Sequence, residues 1–261
     1  MQARSTSNIK GIDVSHHNGV IDWSKVVSDG VKFVYIKASE GVGYTDPKLK
    51  TNASGSNSVG LKTGYYHYAR PETGNSAQAE AKSFVEAVKS LPATLPYPYV
   101  LDIEGAASRL GKAALTKWSV EWLEEVKRLT GREVMVYTGA SFARTYCGPE
   151  LGRYPLWVAH YGGVNTPMSN TTWSKWAVFQ FTETGQVAGI NGKVDINVME
   201  ADFMSEKRKT DYEGHWAESA IKVVMDAGIM NGRSKDKFAP NETITRAEVA
   251  VIVNRLMKMS K

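Results

Sequence analysis

Residues 99–105 read Tyr-Val-Leu-Asp-Ile-Glu-Gly. The run is short, apolar and rich in strand-forming side chains, which is the pattern of a buried β-strand and too brief for a helix. Two carboxylates close it, Asp102 and Glu104. On extended backbone, positions i and i+2 point to the same side, with Cα atoms about 6.7 Å apart. Placing two acids together at the end of an apolar strand is costly unless they have a task. For either acid taken singly, the competing reading is a helix cap or an ion pair with Lys or Arg.

Seven further runs of the same kind flank this one: Ile9–Val14, Phe33–Lys37, Gly64–Tyr68, Val134–Tyr137, Leu156–Ala159, Ala177–Phe181 and Val194–Val198. Helical patterns separate the earlier runs. Ala77–Val88 is opened by Asn75-Ser76, and Leu115–Leu129 spaces Trp118, Trp122, Val126 and Leu129 along one face. Asp46–Ser58 and Ala140–Cys147 are weaker helical patterns. Five strand–helix alternations argue for parallel strands with right-handed crossovers, and eight strands in about 200 residues close a barrel. The last three strands are joined by segments rich in Gly, Asn, Pro and Thr. The expected fold is therefore α/β, a TIM-like barrel of five β/α units plus three β-strands, with a small all-α C-terminal module.

Strand ends of such a barrel converge on one cleft. Asp13 ends the first strand and Asp195 lies in the last, so four carboxylates from distant parts of the chain are expected in one place. Crowded carboxyls raise one another's pKa, so one keeps its proton near neutrality. Glycoside hydrolysis needs such a protonated acid at the leaving oxygen and a second group that meets an oxocarbenium-like charge. The spacing alone leaves the second group open between nucleophile and base. Tyr66, Tyr68, Tyr137, Trp157 and Tyr161 fall at or near strand ends, where flat rings stack on sugars or pack into the core. Gln180 is a candidate hydrogen-bonding group for sugar, while Lys37 and Glu40 read equally well as a structural ion pair.

Other chemistries find little support. The chain has 261 residues with a net charge of +5, and its basic side chains are spread out apart from Lys207-Arg208-Lys209. Nucleic-acid binding is thus not expected, and a polyanionic surface such as a bacterial wall suits the charge better. No apolar run reaches the ~18 residues of a membrane span. No signal peptide is readable in residues 1–8. The lone Cys147 has no neighbouring His and reads as a small buried residue. His16 and His17 would face apart on a strand, and the other histidines show no ligand spacing, so no metal and no cofactor are expected.

The composition changes near Met204, giving an expected organisation of an N-terminal tail (1–7), a barrel (8–203), a linker (204–210) and a module (211–261). In the module, Trp216, Ile221, Val224 and Met225 are spaced as one helical face. Thr245 and Glu248 have capping-box spacing ahead of an apolar helix, Val249–Met257. Two short helices in about 50 residues bury little surface by themselves.

Six motifs stand in order: Gly-Ile-Asp-Val-Ser-His-His-Asn-Gly (11–19), Tyr-Ile-Lys-Ala-Ser-Glu-Gly (35–41), Gly-Tyr-Tyr-His-Tyr-Ala-Arg (64–70), Leu-Asp-Ile-Glu (101–104), Val-Tyr-Thr-Gly (136–139) and Val-Asp-Ile-Asn (194–197). Together they resemble family-25 glycoside hydrolases, the Chalaropsis-type lysozymes common among phage endolysins. The resemblance implies a barrel of five β/α units and three further strands, and cleavage of the β-1,4 bond between N-acetylmuramic acid and N-acetylglucosamine in peptidoglycan. It implies Glu104 as proton donor, Asp102 as its partner, Asp13 and Asp195 as supporting acids, and an aromatic-lined cleft to which Tyr66, Tyr137 and Trp157 correspond.

A second resemblance covers about residues 210–258. His215-Trp216-Ala217, Ala220-Ile221, Gly228-Ile229, Gly232, Phe238-Ala-Pro240 and Ile244-Thr-Arg-Ala-Glu248 are similar to the S-layer homology repeat. It implies attachment to an anionic secondary cell-wall polysaccharide of Gram-positive bacteria, with Arg246 facing an anionic sugar group and Trp216 a second polymer-binding residue. For Arg246 the alternative is an ion pair with Glu248 or Glu242. The family usually carries three copies and this chain has one, so the module either binds weakly or self-associates. The expected site of action is the bacterial cell wall, after synthesis in the cytoplasm and release by a separate route. Two alternatives stay open: a wall-binding protein without catalysis, and a glycosidase of another N-acetylated glycan such as chitin.

Overall fold

A computed structural model describes residues 1–91, 98–204, 210–234 and 237–259, in two compact units, Met1–Met204 and Ser205–Lys261. The first unit is a closed barrel. Its strands are β1 (Ile9–Val14), β2 (Phe33–Glu40), β4 (Lys62–Tyr68), β5 (Tyr99–Asp102), β6 (Val134–Gly139), β7 (Leu156–Ala159), β8 (Val178–Gly185) and β9 (Val194–Met199), while β3 (Tyr44–Thr45) is a short hairpin partner of β2. Helices α1 (Trp23–Ser28), α2 (Leu49–Ser58), α3 (Ala77–Val88), α4 (Lys112–Thr130) and α5 (Ala140–Tyr146) follow β1, β3, β4, β5 and β6, and α6 (Ala201–Met204) follows β9.

Neighbours from β1 through β8 pair parallel around the barrel, as the strand–helix alternation predicts. The exception is β9, which runs antiparallel to both β8 and β1 and closes the ring. The parallel order therefore stops one strand short of closure. The segment between β8 and β9 contains no helix, so a direct reversal replaces the crossover that a parallel strand requires.

Side-chain alternation divides the core into two layers. Along β2, Phe33 and Tyr35 enter the barrel with Val100, Met135 and Trp157, whereas Val34 and Ile36 face the helical layer with Phe84, Trp122 and Leu123. The interior rings fit because neighbouring strands carry glycine opposite them. Gly11 pairs with Phe33 and Gly64 with Tyr35, and a Cβ at either glycine would stand 2.2 Å from the facing ring. In α4, Trp118, Trp122 and Val126 are buried as their spacing predicts, but Leu129 is exposed near the helix end. Helix α1 completes the five expected β/α units at a place where the sequence reading named no helical run. It is six residues long, and Asp22 caps it by accepting from the Lys25 backbone N–H at 3.2 Å.

The residues read as a tail pack onto the barrel. Gln2 exchanges two hydrogen bonds with the Trp176 backbone and its carbonyl accepts from Trp176 Nε1 at 2.9 Å. The Arg4 guanidinium lies 3.9 Å from the centroid of Phe181. Of the expected linker, residues 205–209 lie outside the described residues.

The second unit contains α7 (Glu218–Asp226) and α8 (Arg246–Met259). The capping box forms: Glu248 N–H donates to Thr245 Oγ1 at 3.2 Å, and Thr245 N–H donates to Glu248 Oε2 at 2.8 Å. The expected helical face is corrected. Trp216 precedes α7 and is 92% exposed, and Ile221 is the buried member of the set. Val249, Val253, Leu256 and Met259 of α8 are also exposed.

Candidate active site

The end of the barrel formed by the C-terminal ends of the parallel strands holds a small cavity of about 140 Å³. Asp13, Asp102, Glu104 and Asp195 line it, with Tyr66, Tyr137, Trp157 and Gln180. The structure thus brings together all eight residues singled out in the barrel sequence; Tyr68, weighed there among the aromatics, joins them. Along β5, Leu101 and Ile103 are buried toward the helices, and the alternate positions 102 and 104 face the cavity. Glu104 lies beyond the strand but keeps an extended backbone, φ −157° and ψ −176°, so the alternation carries through it.

Asp195 reaches the same rim for a different reason. It is the second residue of β9, and because β9 is antiparallel its beginning lies beside the ends of the parallel strands. Asp13 and Asp195 are direct partners across β1 and β9. In a parallel β9 the same residue would sit at the opposite pole.

Burial raises the carboxyl groups. Asp13 is held well above the usual carboxylate range, first by loss of water and then by the charge of Asp195. The two carboxyls share a hydrogen bond, which requires a proton between them. Asp195 is pushed up to about 6, again chiefly by burial. Asp102 is buried and held well above its ordinary value by desolvation and then by Glu104, with Lys37 opposing. Its Oδ1 is buried and has no hydrogen-bond partner among the described residues. Glu104 is half-buried and is raised by desolvation, with Lys37 opposing and Asp195 assisting.

Gln180 has a different surrounding from the one expected. Its Oε1 accepts from Tyr137 at 2.7 Å and Tyr161 at 2.6 Å, and its Nε2 donates to Asp13 Oδ2 at 2.8 Å. These bonds make it a brace behind the carboxylates. Asn197, which the sequence reading passed over although it ends the Val-Asp-Ile-Asn motif, is the second brace. Its Nδ2 donates to Asp13 Oδ2 at 2.7 Å, and its Oδ1 accepts from Trp157 Nε1 at 2.8 Å. Its position two residues after Asp195 was the available signal, since i and i+2 share a strand face.

Trp157 packs against Tyr35, Tyr66 and Tyr137, with ring centroids 4.8, 6.3 and 4.8 Å away, so the aromatic wall is continuous with the barrel core. His16 and His17 lie in a 3-10 turn after β1, not on a strand, and their rings are 3.9 Å apart. Among the described residues, no group of three His, Cys, Asp or Glu is arranged to hold a metal ion. Cys147 is buried, and burial pushes its thiol up to about 12.

In the second unit, Arg246 and Trp216 are both exposed. The ion pairs weighed for Arg246 belong to Arg233, which bonds Glu248 and lies 3.4 Å from Glu242. A groove of about 530 Å³ in this unit is lined by Phe238, Ile244, Val251 and Arg255, and includes neither Arg246 nor Trp216.

Residues 12–190 match the model of glycosyl hydrolases family 25, and residues 210–250 match the S-layer homology domain. Lysozyme M1 of Streptomyces globisporus is 37% identical over 201 residues, 74% of this chain and 68% of its own. The N,O-diacetylmuramidase of Chalaropsis sp is 29% identical over 144 residues, 51% of this chain and 67% of its own. The bacterial lysozyme structure from Streptomyces coelicolor superposes with a TM-score of 0.67 at 34% identity, covering 76% of this chain and 94% of that one. The chain belongs to glycosyl hydrolase family 25, with an S-layer homology domain following the barrel.

Proposed function

We propose that the chain is an N-acetylmuramidase, cleaving the β-1,4 bond between N-acetylmuramic acid and N-acetylglucosamine in peptidoglycan. The observation that carries this reading is the single cavity in which acids from β1, β5 and β9 meet beside Tyr66, Tyr137 and Trp157. Glu104 is the proton donor. It is less buried than Asp102, so it is the acid of the pair open to a leaving oxygen, and burial raises its carboxyl above the usual range. Asp102, deeper and with one oxygen unpartnered, meets the positive charge that develops as the bond breaks. Asp13 and Asp195 hold one proton between them and, through Gln180 and Asn197, fix the cleft wall.

The test is Glu104→Gln in a turbidity assay on purified walls, with mass spectrometry of the wild-type products. A new muramic acid reducing end, and loss of lysis in the variant, are expected. Undiminished lysis would remove Glu104 from the role of acid. A glucosamine reducing end would move the activity to the chitin class, and binding without release of fragments would leave an inactive wall-binding protein.

The two family matches associate the chain with the bacterial cell wall. The finer reading is that residues 8–203 hydrolyse and residues 211–261, after the segment 204–210, anchor. In the anchor, Arg246 has no ion pair among the described residues and meets an anionic wall polysaccharide, and the exposed Trp216 is a second contact for that polymer. A guanidinium suits a carboxylate through two parallel hydrogen bonds. The exposed stripe on α8 favours self-association of the single module. Removing residues 205–261 should lower adsorption to walls while leaving hydrolysis of soluble fragments. Sedimentation of the intact chain and of the truncated one reads the self-association.

A further inference from the structure

We propose that the basin between the β2–β3 hairpin and the turn after β4 is a second sugar-binding subsite of the cleft. It takes an uncharged N-acetylhexosamine of the glycan strand, flanking the pair whose linkage is cut, and the Tyr44 ring is its platform. This rests on the muramidase reading given above and extends it along the same strand.

The acid cavity cannot hold the strand by itself. Its volume is about 140 Å³, whereas sites that enclose a small ligand run to about 300–1,000 Å³. It admits the linkage and part of a ring, so the sugars on either side must lie over the rim. On the β2–β4 side there is a basin of about 500 Å³, lined by Glu40, Val42, Tyr44, Arg70 and Asn75. The two spaces adjoin. Glu40, in the basin wall, is the register partner of Tyr68, which lines the acid cavity, and the next residue, Gly41, donates its N–H to the Tyr68 carbonyl at 3.1 Å.

Tyr44 is an exposed ring that the fold holds in place. It is 39% exposed, yet it pairs with Glu40 across β2 and β3, has the Lys37 ammonium 5.8 Å from its ring centroid, and meets the His16 ring edge-on at 6.4 Å. His16 is fixed in turn by the buried Asp46, whose Oδ2 lies 2.7 Å from His16 Nδ1 and accepts from the His16 backbone N–H at 3.1 Å. Val42, in the same hairpin, is also exposed and adds apolar surface to the basin. A flat ring with a polar rim, already ordered, suits a sugar at little entropic cost.

The charges around the basin cancel. Glu40 takes Lys37 Nζ at 2.8 Å on one oxygen and Arg70 Nη1 at 2.6 Å on the other, and Arg70 Nε lies 2.7 Å from Glu72. Two cations and two anions leave no net charge to attract an ionic ligand. What they offer instead is hydrogen bonding: the Arg70 side chain is 40% exposed and keeps guanidinium donors beyond the two it gives to the glutamates. Gly41, at φ 52°, lets the hairpin close on this side chain, since a Cβ there would stand 3.3 Å from Arg70 Cβ. An uncharged, hydroxyl-bearing ring fits this balance better than the charged stem peptide of peptidoglycan.

The experiment titrates the full chain carrying Glu104→Gln with the trimer of N-acetylglucosamine and follows the backbone amide signals by ¹H–¹⁵N NMR. The amides of Val42, Gly43 and Tyr44 should shift saturably, with the same affinity at low and high salt. Tyr44→Ala should weaken that binding several-fold, and Tyr44→Trp should keep it. On purified walls, Tyr44→Ala should raise KM several-fold and lower kcat little, the mark of lost uniform binding. Shifts confined to residues of the acid cavity would overturn the proposal, as would an undiminished affinity in Tyr44→Ala. Basin signals that move only with a peptide-bearing wall fragment, or an affinity that falls steeply with salt, would give the basin to the stem peptide and overturn it too. Wild-type products that end in glucosamine would defeat the muramidase reading alone, because the titration reports on the basin whichever bond is cut.

Discussion

Asp195→Asn should make the barrel more stable near neutrality and no more stable in acid. Asp195 titrates at about 6 in the fold against 3.8 for the free side chain. A carboxyl raised in this way stabilises the fold while it is protonated, fully so below the unfolded value, and that contribution is lost as pH rises through about 6. The gap of about two pH units corresponds to at most about 3 kcal/mol. Asp195 is half-buried, so solvent screens part of this, and about 2 kcal/mol is the working figure. Asparagine keeps the shape and can still hydrogen-bond the Asp13 carboxyl, but it cannot ionise. For a unit of this size the gain is about 4–8 °C in Tm. Thermal melts of wild type and variant from pH 4 to pH 8 would show two curves that coincide in acid and separate between about pH 4 and 7. Equal melting temperatures at pH 8, or an equal gain at pH 4, would refute the argument that the buried charge at Asp195 is what strains the site.

Glu104→Gln should lower hydrolysis by about 10²–10⁴-fold with a native circular-dichroism spectrum, since a general acid contributes that much. Asn197→Leu deprives both Asp13 and Trp157 of a partner, so denaturant titration should show a loss of about 2–3 kcal/mol, with activity falling in the surviving folded protein. Gly64→Ala places a methyl against the Tyr35 ring inside the barrel and should cost about 1–3 kcal/mol by the same measurement.

What was legible in the sequence is what short-range physics controls. Strands buried on both faces must be continuous apolar runs, so all eight barrel strands could be located, Ile9–Val14 and Leu156–Ala159 with their bounds. Residues i and i+2 share a face, so Asp102 and Glu104 could be paired before any coordinates, and the Thr245–Glu248 box follows from a three-residue spacing. Tertiary structure decided the rest. The direction of β9 depends on which edges it meets, not on its own residues, and that direction alone brings Asp195 to the rim opposite Asp13. The braces on Asp13 come from residues 167 and 184 positions away, a range over which no periodicity acts. Local pattern states which side chains leave water, while closure of the barrel determines whom they meet there.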